Sequence, residues 1–150
     1  LTQHTQATRV NLERMRANAI EAAEQCGVLT IPEIGDPLPL HRALAARKSE
    51  RLLVFCDEDA DVKDAVRALA DARQSPSAML PLTMADAGTE GRQPIALLIG
   101  PEGGFSEEER AAILKHTNMV RLSLGPRILR ADTAAVAALT LWQSRLGDWT

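Results

Sequence analysis

The sequence predicts one α/β domain built on a mainly parallel sheet. Two continuously apolar runs, Leu52–Cys56 and Ile95–Ile99, have the length and composition of strands that are buried on both faces. A third strand is predicted over Met119–Leu124. Segments with helical periodicity separate the strands, and this alternation is typical of a parallel sheet. The length of 150 residues fits one domain with a substantial core.

The first helix is predicted over Asn11–Cys26, and Gly27 lies just beyond its end as a terminator. Its apolar face consists of residues that recur at helical spacing: Leu12, Met15, Ala19, Ile20 and Ala23. The β-prone run Val28–Ile31 predicts a short strand. A stiff connector rich in proline follows it, and a short helix is predicted over His41–Ala46.

The two helices that follow the apolar strands begin at recognisable caps. Asp61 is predicted to cap a helix that ends within Gln74–Ser77. The apolar face of that helix contains Val62, Ala65, Val66, Leu69 and Ala72. The stretch Met84–Gln93 is rich in Gly, Thr and Asp and predicts an exposed loop. Ser106 opens the next helix, because Glu109 stands three residues later at the spacing of a capping box.

The chain closes with a turn and a helix. Gly125 and Pro126 predict the turn, and the helix is expected to start at Asp132 or Thr133 and to run through Trp142.

Composition excludes several classes of protein. With 45% hydrophobic and 25% charged residues, the chain is expected to be a soluble globular domain. No apolar run approaches the roughly 18 residues that a transmembrane helix needs, and the polar opening is unlike a signal peptide, so a cytoplasmic protein is expected. Cys26 and Cys56 stand far apart and only three histidines are present, which argues against a metal site. Cys56 is interpreted as a small buried hydrophobe without a chemical role.

The charge of the chain is unevenly distributed. The formal net charge is -3, which argues against nonspecific coating of nucleic acid. Between Arg110 and Ala131, however, there are five basic residues and no acidic one. This asymmetry points to an anionic partner, although on charge alone a solvated helix face with ordinary loop arginines is the favoured explanation.

Two loops are placed where ligands bind in parallel sheets, at the carboxyl ends of strands. The first, Ile99–Ser106, has three glycines that would let a ligand approach the backbone closely. It does not fit the dinucleotide pattern G-x-G-x-x-G, and no phosphate-binding lysine follows it. Glu102 within the loop would repel a phosphate and suits a ligand that carries positive charge. The second loop, Leu122–Thr133, combines a tight turn, apolar residues and arginines.

These two loops together resemble the signature stretches of the RsmE family, the bacterial 16S ribosomal RNA (uracil-N3)-methyltransferases of the SPOUT class. The similar stretches are Leu98–Glu109 and Leu122–Ala135, and a third lies at Glu21–Cys26 with Ile31–Ile34. Two departures are present. Val28 and Leu29 stand where the family usually has an arginine, and Asp132 stands where it often has Glu.

The resemblance implies a SPOUT (alpha/beta knot) fold with a deep trefoil knot at the carboxyl end. It further implies that residues 1–150 are the catalytic domain, without its first β-α unit and without the amino-terminal PUA-like RNA-binding domain. A homodimer is also implied. The closing helix offers a small-residue stripe for that contact, formed by Ala134, Ala135, Ala138, Leu139 and Trp142. Packing of the same stripe on its own sheet is the alternative.

The resemblance implies S-adenosyl-L-methionine as the cofactor and 16S ribosomal RNA, or the small ribosomal subunit, as the partner. Backbone groups expected to hydrogen-bond the adenine and ribose belong to Gly100, Gly103, Gly104, Leu122, Leu124 and Gly125. The adenine ring is expected to be buried by Ile99, Ile128 and Leu129. Glu102 is a candidate partner for the ribose or the sulfonium.

Arg130 is the first candidate for catalysis and Arg127 the second. Removal of the uracil N3 proton leaves a negative charge on the ring, which a guanidinium would stabilise. The general base is not identified by the sequence, and water or Asp132 are candidates. Two alternatives remain open. One is a SPOUT methyltransferase that acts on transfer RNA, and the other is a cofactor-binding and dimerisation module that is inactive without its missing domain.

Overall fold

The computed structural model describes residues 1–5, 10–61, 64–73, 94–147 and 149. Within these residues three strands form one parallel sheet in the order β2-β1-β3: β1 (Leu52–Cys56), β2 (Ile95–Ile99) and β3 (Met119–Leu122). In the register, Val54 of β1 lies beside Leu97 on one side and Val120 on the other. The predicted α/β class with a parallel sheet is therefore confirmed.

The described helices are α1 (Leu12–Cys26), α2 (Leu40–Ala46), α3 (Ala65–Arg73), α4 (Glu107–Leu114) and α5 (Ala131–Leu146). Four of these helices cover the sheet, α2 and α4 on one face and α3 and α5 on the other. The side chains of each strand alternate between the two faces. Leu53 and Phe55 of β1 face the side of α2 and α4, where the core also contains Leu44, Phe105 and Ile113.

The opposite face of the sheet is covered by α3 and α5. Leu52 and Val54 of β1 pack there with Leu69 of α3 and Trp142 of α5. The first four residues of β1 are apolar and buried, so the strand is covered on both faces, as the uninterrupted apolar run in the sequence predicts.

Local signals predict the bounds of two helices closely. The Arg14 N–H donates to Asn11 Oδ1 at 2.9 Å, and Gly27 ends α1 in the left-handed region at φ 66°. At α4 the capping box is present in full: the Glu109 N–H donates to Ser106 Oγ, and the Ser106 N–H donates to the Glu109 carboxylate. The predicted end of α1 at Gly27 and the predicted capping box of α4 are confirmed, and Asn11, predicted as the first residue of α1, is its cap.

Two helix starts differ from the prediction. The described part of α3 starts at Ala65, and the carboxylate that accepts from its first turn belongs to Asp64, which receives the Arg67 N–H at 2.9 Å, instead of Asp61. Helix α5 starts at Ala131 after Arg130, so that Asp132 lies in its first turn. Val62, the predicted end at Gln74–Ser77 and the predicted loop Met84–Gln93 lie outside the described residues.

The predicted strand Val28–Ile31 is wrong, because these residues belong to no helix or strand. Leu29 is 99% exposed and Pro32 follows directly. A β-prone run forms a strand only where a neighbouring strand receives its backbone hydrogen bonds, and the sheet does not extend to this segment. The third strand is also two residues shorter than predicted, since the chain turns away from β1 after Leu122.

The small-residue stripe of α5 is mostly internal. Ala134, Ala138 and Trp142 are buried within the chain, and Trp142 packs on the sheet. Leu139 is 45% exposed and Ala135 is half-buried. Three of the five residues predicted for a dimer contact therefore serve the core of their own subunit, which is the alternative that the sequence left open.

Candidate functional site

A cavity of about 650 Å³ lies at the carboxyl ends of the three strands. The strand order places β1 between β2 and β3, and the helix after β1 covers a different face from the helix after β2. A parallel sheet opens a crevice where successive connections leave in opposite directions, so the cavity lies where ligands bind in such sheets. Its volume is in the range of small-molecule sites.

The glycine-rich loop after β2 forms one wall of this cavity. The Gly104 N–H donates to Pro101 O at 2.8 Å, which closes a tight turn, and Gly104 has φ +67°. A Cβ on Gly100 would lie 2.8 Å from the Phe105 ring, so glycine is required there for the ring to pack. The loop thus brings its backbone to the cavity and anchors itself through Phe105.

The loop after β3 forms the second wall. Its lining residues are Ser123, Leu124, Gly125, Pro126, Arg127, Ile128 and Leu129. Gly125 has φ +106°, which a residue with a side chain rarely adopts. Among the described residues, the backbone N–H groups of Leu124, Ile128 and Leu129 have no hydrogen-bond partner. This wall therefore offers apolar side chains together with available backbone donors.

The loop after β1 forms a third wall, which the sequence analysis did not predict. Its lining residues are Cys56, Asp57, Glu58, Ala60 and Asp61. The acidic run Asp57–Asp59, which directly follows a buried strand, was a signal for this wall in the sequence. The residues that follow each strand of a parallel sheet lie at the same edge of the sheet.

Most of the residues predicted for the cofactor line the cavity. Eight of the ten do so, namely Ile99, Gly100, Glu102, Gly104, Leu124, Gly125, Ile128 and Leu129. Gly103 faces away, since a Cβ there would lie 3.0 Å from His4 Cβ. The Leu122 side chain is fully buried in the core, and its carbonyl accepts the Asp57 N–H.

The two arginines predicted for catalysis occupy different places. Arg127 lines the cavity, whereas Arg130 lies outside its lining with its side chain 80% exposed. The Arg130 Nε is 3.9 Å from Asp132 Oδ1, and both side chains are exposed, so this ion pair restrains Arg130 only weakly.

A network of four charges borders the cavity at the end of β1. Asp57 is buried, and both Nε and Nη2 of Arg121 lie 2.7 Å from its Oδ2. Nη2 of Arg110 lies 3.2 Å from its Oδ1. Arg110 also pairs with Asp59, and Arg121 Nη2 donates to the Asp59 carbonyl at 2.9 Å. Two of the five basic residues that suggested an anionic partner are thus neutralised within the chain.

The uncompensated charges of the cavity are mostly acidic. Glu58, Asp61 and Glu102 line it, and Arg127 is the basic lining residue outside the network. Burial raises the pKa of the Cys56 thiol to about 11, so this thiol is protonated at neutral pH and is a poor nucleophile. The described residues give the site apolar walls, backbone donors and an acidic rim.

Comparison with known proteins assigns the chain to a family. Residues 1–143 match the RNA methyltransferase domain. The chain belongs to this RNA methyltransferase domain family. Because curated relatives of the chain are ribosomal RNA small subunit methyltransferases E, the resemblance to the RsmE family is confirmed.

Relatives of this RNA methyltransferase domain are longer than the chain. The chain is 30% identical over 139 residues to ribosomal RNA small subunit methyltransferase E of Rickettsia conorii, and the match covers 93% of the chain and 49% of that protein. The chain spans about half the length of the curated relatives it matches.

Solved structures related to this RNA methyltransferase domain contain a cofactor. A protein of Legionella pneumophila described as a methyltransferase is 31% identical, with a TM-score of 0.66 over 96% of the chain and 52% of that protein, and was solved with bound S-adenosylmethionine. Ribosomal RNA small subunit methyltransferase E of Neisseria gonorrhoeae, bound to S-adenosylmethionine, is 27% identical with a TM-score of 0.67, over 93% of the chain and 49% of that protein.

The described part of the chain contains neither a metal-binding cluster nor a membrane-spanning helix. No group of three or more His, Cys, Asp or Glu residues is arranged there to hold a metal ion. None of the described helices has the length and hydropathy required to cross a membrane.

Proposed function

We propose that the chain is the catalytic domain of a methyltransferase that uses S-adenosyl-L-methionine to methylate N3 of a uridine in 16S ribosomal RNA. The observation that carries the proposal is the cavity at the strand ends, built by the same loops that resemble the RsmE family. The relatives solved with S-adenosylmethionine support the choice of cofactor. The curated relatives that modify small-subunit rRNA support the choice of substrate.

The residues of the cavity fit this cofactor. Ile99, Ile128 and Leu129 supply apolar surface for the adenine ring, and the N–H of Leu124 is available to hydrogen-bond its edge. Gly104 leaves room on the cavity side that a Cβ would fill. The acidic rim, Glu58, Asp61 and Glu102, suits a ligand that carries a sulfonium and an ammonium group. A phosphate-bearing nucleotide would be repelled by the same carboxylates.

When bound, the cofactor supplies a methyl group that is already electrophilic, so the protein needs no nucleophile of its own. The task of the chain is then to hold the uracil and to stabilise the negative charge that develops as the N3 proton leaves. Arg127 at the cavity and Arg130 at its outer edge present guanidinium groups suited to that charge. The two arginines are separated by Ile128 and Leu129, so the apolar floor for the adenine and the cationic edge for the uracil belong to one loop.

The remaining expectations from the sequence form part of the proposal. The chain is proposed to work together with an RNA-binding domain in a longer protein, with the trefoil knot and the homodimer that the resemblance implies. The rRNA substrate implies a cytoplasmic location. Exposed Leu139 of α5 is the member of the predicted stripe that is available to a second subunit. Light scattering of wild type and Leu139→Glu tests the dimer, and a wild-type monomer at high micromolar concentration would refute it for this chain.

Titration calorimetry on the purified chain tests the cofactor. Saturable binding of S-adenosylmethionine and of S-adenosylhomocysteine is expected, with no binding of NAD or ATP. Saturable binding of NAD without a response to S-adenosylhomocysteine would overturn the proposal.

Mass spectrometry of nucleosides from 16S rRNA tests the substrate. A deletion strain should lack one 3-methyluridine and regain it when the gene is restored, whereas an unchanged 16S rRNA with a change in transfer RNA would reassign the substrate.

A further inference from the structure

The buried carboxylate of Asp57 joins the three walls of the cavity. Asp57 itself belongs to the loop after β1. Arg110 belongs to α4, which follows the glycine-rich loop, and Arg121 belongs to β3, which leads into the second loop. Both arginines lie within 3.2 Å of the one carboxylate, from opposite oxygens. A single side chain therefore contacts the element attached to each of the other two walls.

The geometry of the carboxylate leaves little freedom to rearrange. The Asp57 side chain has no exposed surface, and its N–H donates to the Leu122 carbonyl at 2.9 Å. Oδ1 also accepts the Asp59 N–H at 3.2 Å, which holds the start of the loop after β1 in a turn. A buried charge is tolerated only with such partners, so the positions of both arginines depend on this carboxylate.

Charge balance in the network explains what Asp57 does for the ligand. Arg110 lines the cavity, but its guanidinium is paired with Asp57 and Asp59. Without the Asp57 charge, the guanidinium groups of Arg110 and Arg121 would repel each other around a neutral group. Arg110 would then turn toward the acidic rim, where it would occupy the cavity and compete with a positively charged ligand.

We propose that Asp57 is a positioning residue that sets the shape and charge of the cofactor cavity by holding the guanidinium groups of Arg110 and Arg121 at the end of β1, so that Arg110 does not pair with the acidic rim. The inference rests on the proposed function, since the cavity is taken as the S-adenosylmethionine site. Asp57 belongs to the cavity lining, but its carboxylate is fully buried against the two arginines and acts through them.

The variant Asp57→Asn tests the proposal, because it keeps the shape of the side chain and removes its charge. Calorimetry with S-adenosylhomocysteine is performed at a temperature where circular dichroism shows wild type and variant both folded. We expect an affinity about 10-fold weaker than that of the wild type, because the lost charge reaches the ligand only indirectly, through the displaced arginines. The matched control is Asp71→Asn, which removes a carboxylate from an exposed pair with Arg67 on α3 and is expected to bind like the wild type.

A double-mutant cycle separates positioning from general destabilisation. If Asp57 acts through Arg110, adding Arg110→Gln to Asp57→Asn will cause no further loss of affinity and will restore part of it. Losses that multiply in the double variant, or an Asp57→Asn variant that is folded and binds normally, would overturn the inference. Absence of binding by the wild type would instead refute the proposed function, so the two failures are distinguishable.

Discussion

Phe105 packs edge-on against Phe55, with ring centroids 5.3 Å apart and planes inclined at 77°. Phe55 lies in the central strand β1 and is completely buried, and Phe105 ends the glycine-rich loop. The contact joins the glycine-rich loop, which lines the cavity, to the buried central strand of the sheet. It also explains Gly100, whose position a Cβ could not share with the Phe105 ring.

The variant Phe105→Ala should destabilise the domain. Truncation of a buried phenylalanine costs about 3–5 kcal/mol of unfolding free energy, and the edge-on contact with Phe55 is lost as well. Urea denaturation followed by circular dichroism measures the change. Phe105→Leu keeps most of the volume and should cost much less, and Val136→Ala on the exposed face of α5 should change stability by less than about 0.5 kcal/mol. Equal stabilities for Phe105→Ala and Val136→Ala would contradict this account.

Gly104 and Gly27 form a matched pair for the cavity wall. Both have a left-handed backbone, at φ +67° and +66°, so alanine should destabilise the fold by about 1–2 kcal/mol at either position. Only at Gly104 would the new Cβ meet another group, at 2.9 Å from Glu58 Oε1 in the cavity wall, whereas nothing lies within 4 Å at Gly27.

Binding of S-adenosylhomocysteine should therefore distinguish the two glycine variants. Gly104→Ala is expected to weaken it about 10-fold, because the new methyl group would displace the Glu58 carboxylate of the acidic rim. Gly27→Ala is expected to leave it unchanged. Calorimetry on the two folded variants provides the comparison. The same affinity loss in both would show that stability alone controls binding.

Cys56 should react slowly with iodoacetamide despite lining the cavity. The thiolate is the reacting species, and a thiol with a pKa of about 11 contains roughly 100-fold less thiolate at pH 8 than one at the ordinary value of 9.0. Since desolvation raises this pKa, the rate should continue to rise with pH up to about 11. Mass spectrometry of the Cys26→Ser variant measures it, with Cys56→Ser as the control that reports on the exposed Cys26. S-adenosylhomocysteine should protect Cys56 but not Cys26, and a Cys56 that reacts faster than Cys26 at pH 8 would refute the prediction.

Arg130→Ala in the full-length protein should remove methylation and spare cofactor binding. In the proposed reaction the uracil charge exists only as the N3 proton leaves, so its stabilisation affects the rate of the chemical step and not the affinity for the cofactor. We expect a single-turnover rate roughly 100- to 1000-fold lower, the size of one lost oxyanion donor. Arg130 lies outside the cavity lining, so the affinity for S-adenosylmethionine should not change.

Arg127→Ala is the companion variant, because that side chain lines the cavity and its loss is expected to change cofactor affinity. Arg130→Lys should recover only part of the rate, since an ammonium lacks the planar fork of donors. A normal single-turnover rate in Arg130→Ala would remove this residue from catalysis. A loss of cofactor affinity together with melting temperature would assign it a structural role.

Strand bounds and helix caps, which depend on residues close together in the chain, could be predicted from the amino-acid sequence. The strands Leu52–Cys56 and Ile95–Ile99 match their predicted bounds, and the capping box of Ser106 and Glu109 is formed as expected, because these features depend on residues within a few positions. Two of the three loops that line the cavity were also predicted, since the ends of parallel strands share one edge of the sheet.

Contacts between residues that are far apart in the chain could not be predicted, because they form only in the folded structure. Val28–Ile31 has the composition of a strand but lies apart from the sheet, and none of the described strands pairs with its backbone. The stripe on α5 could face a second subunit or its own sheet, and packing around Trp142 placed most of it inside. Asp57 meets Arg121 across 64 positions of sequence. No local pattern encodes that contact, because it exists only once β1 and β3 lie side by side and exclude water from the carboxylate between them.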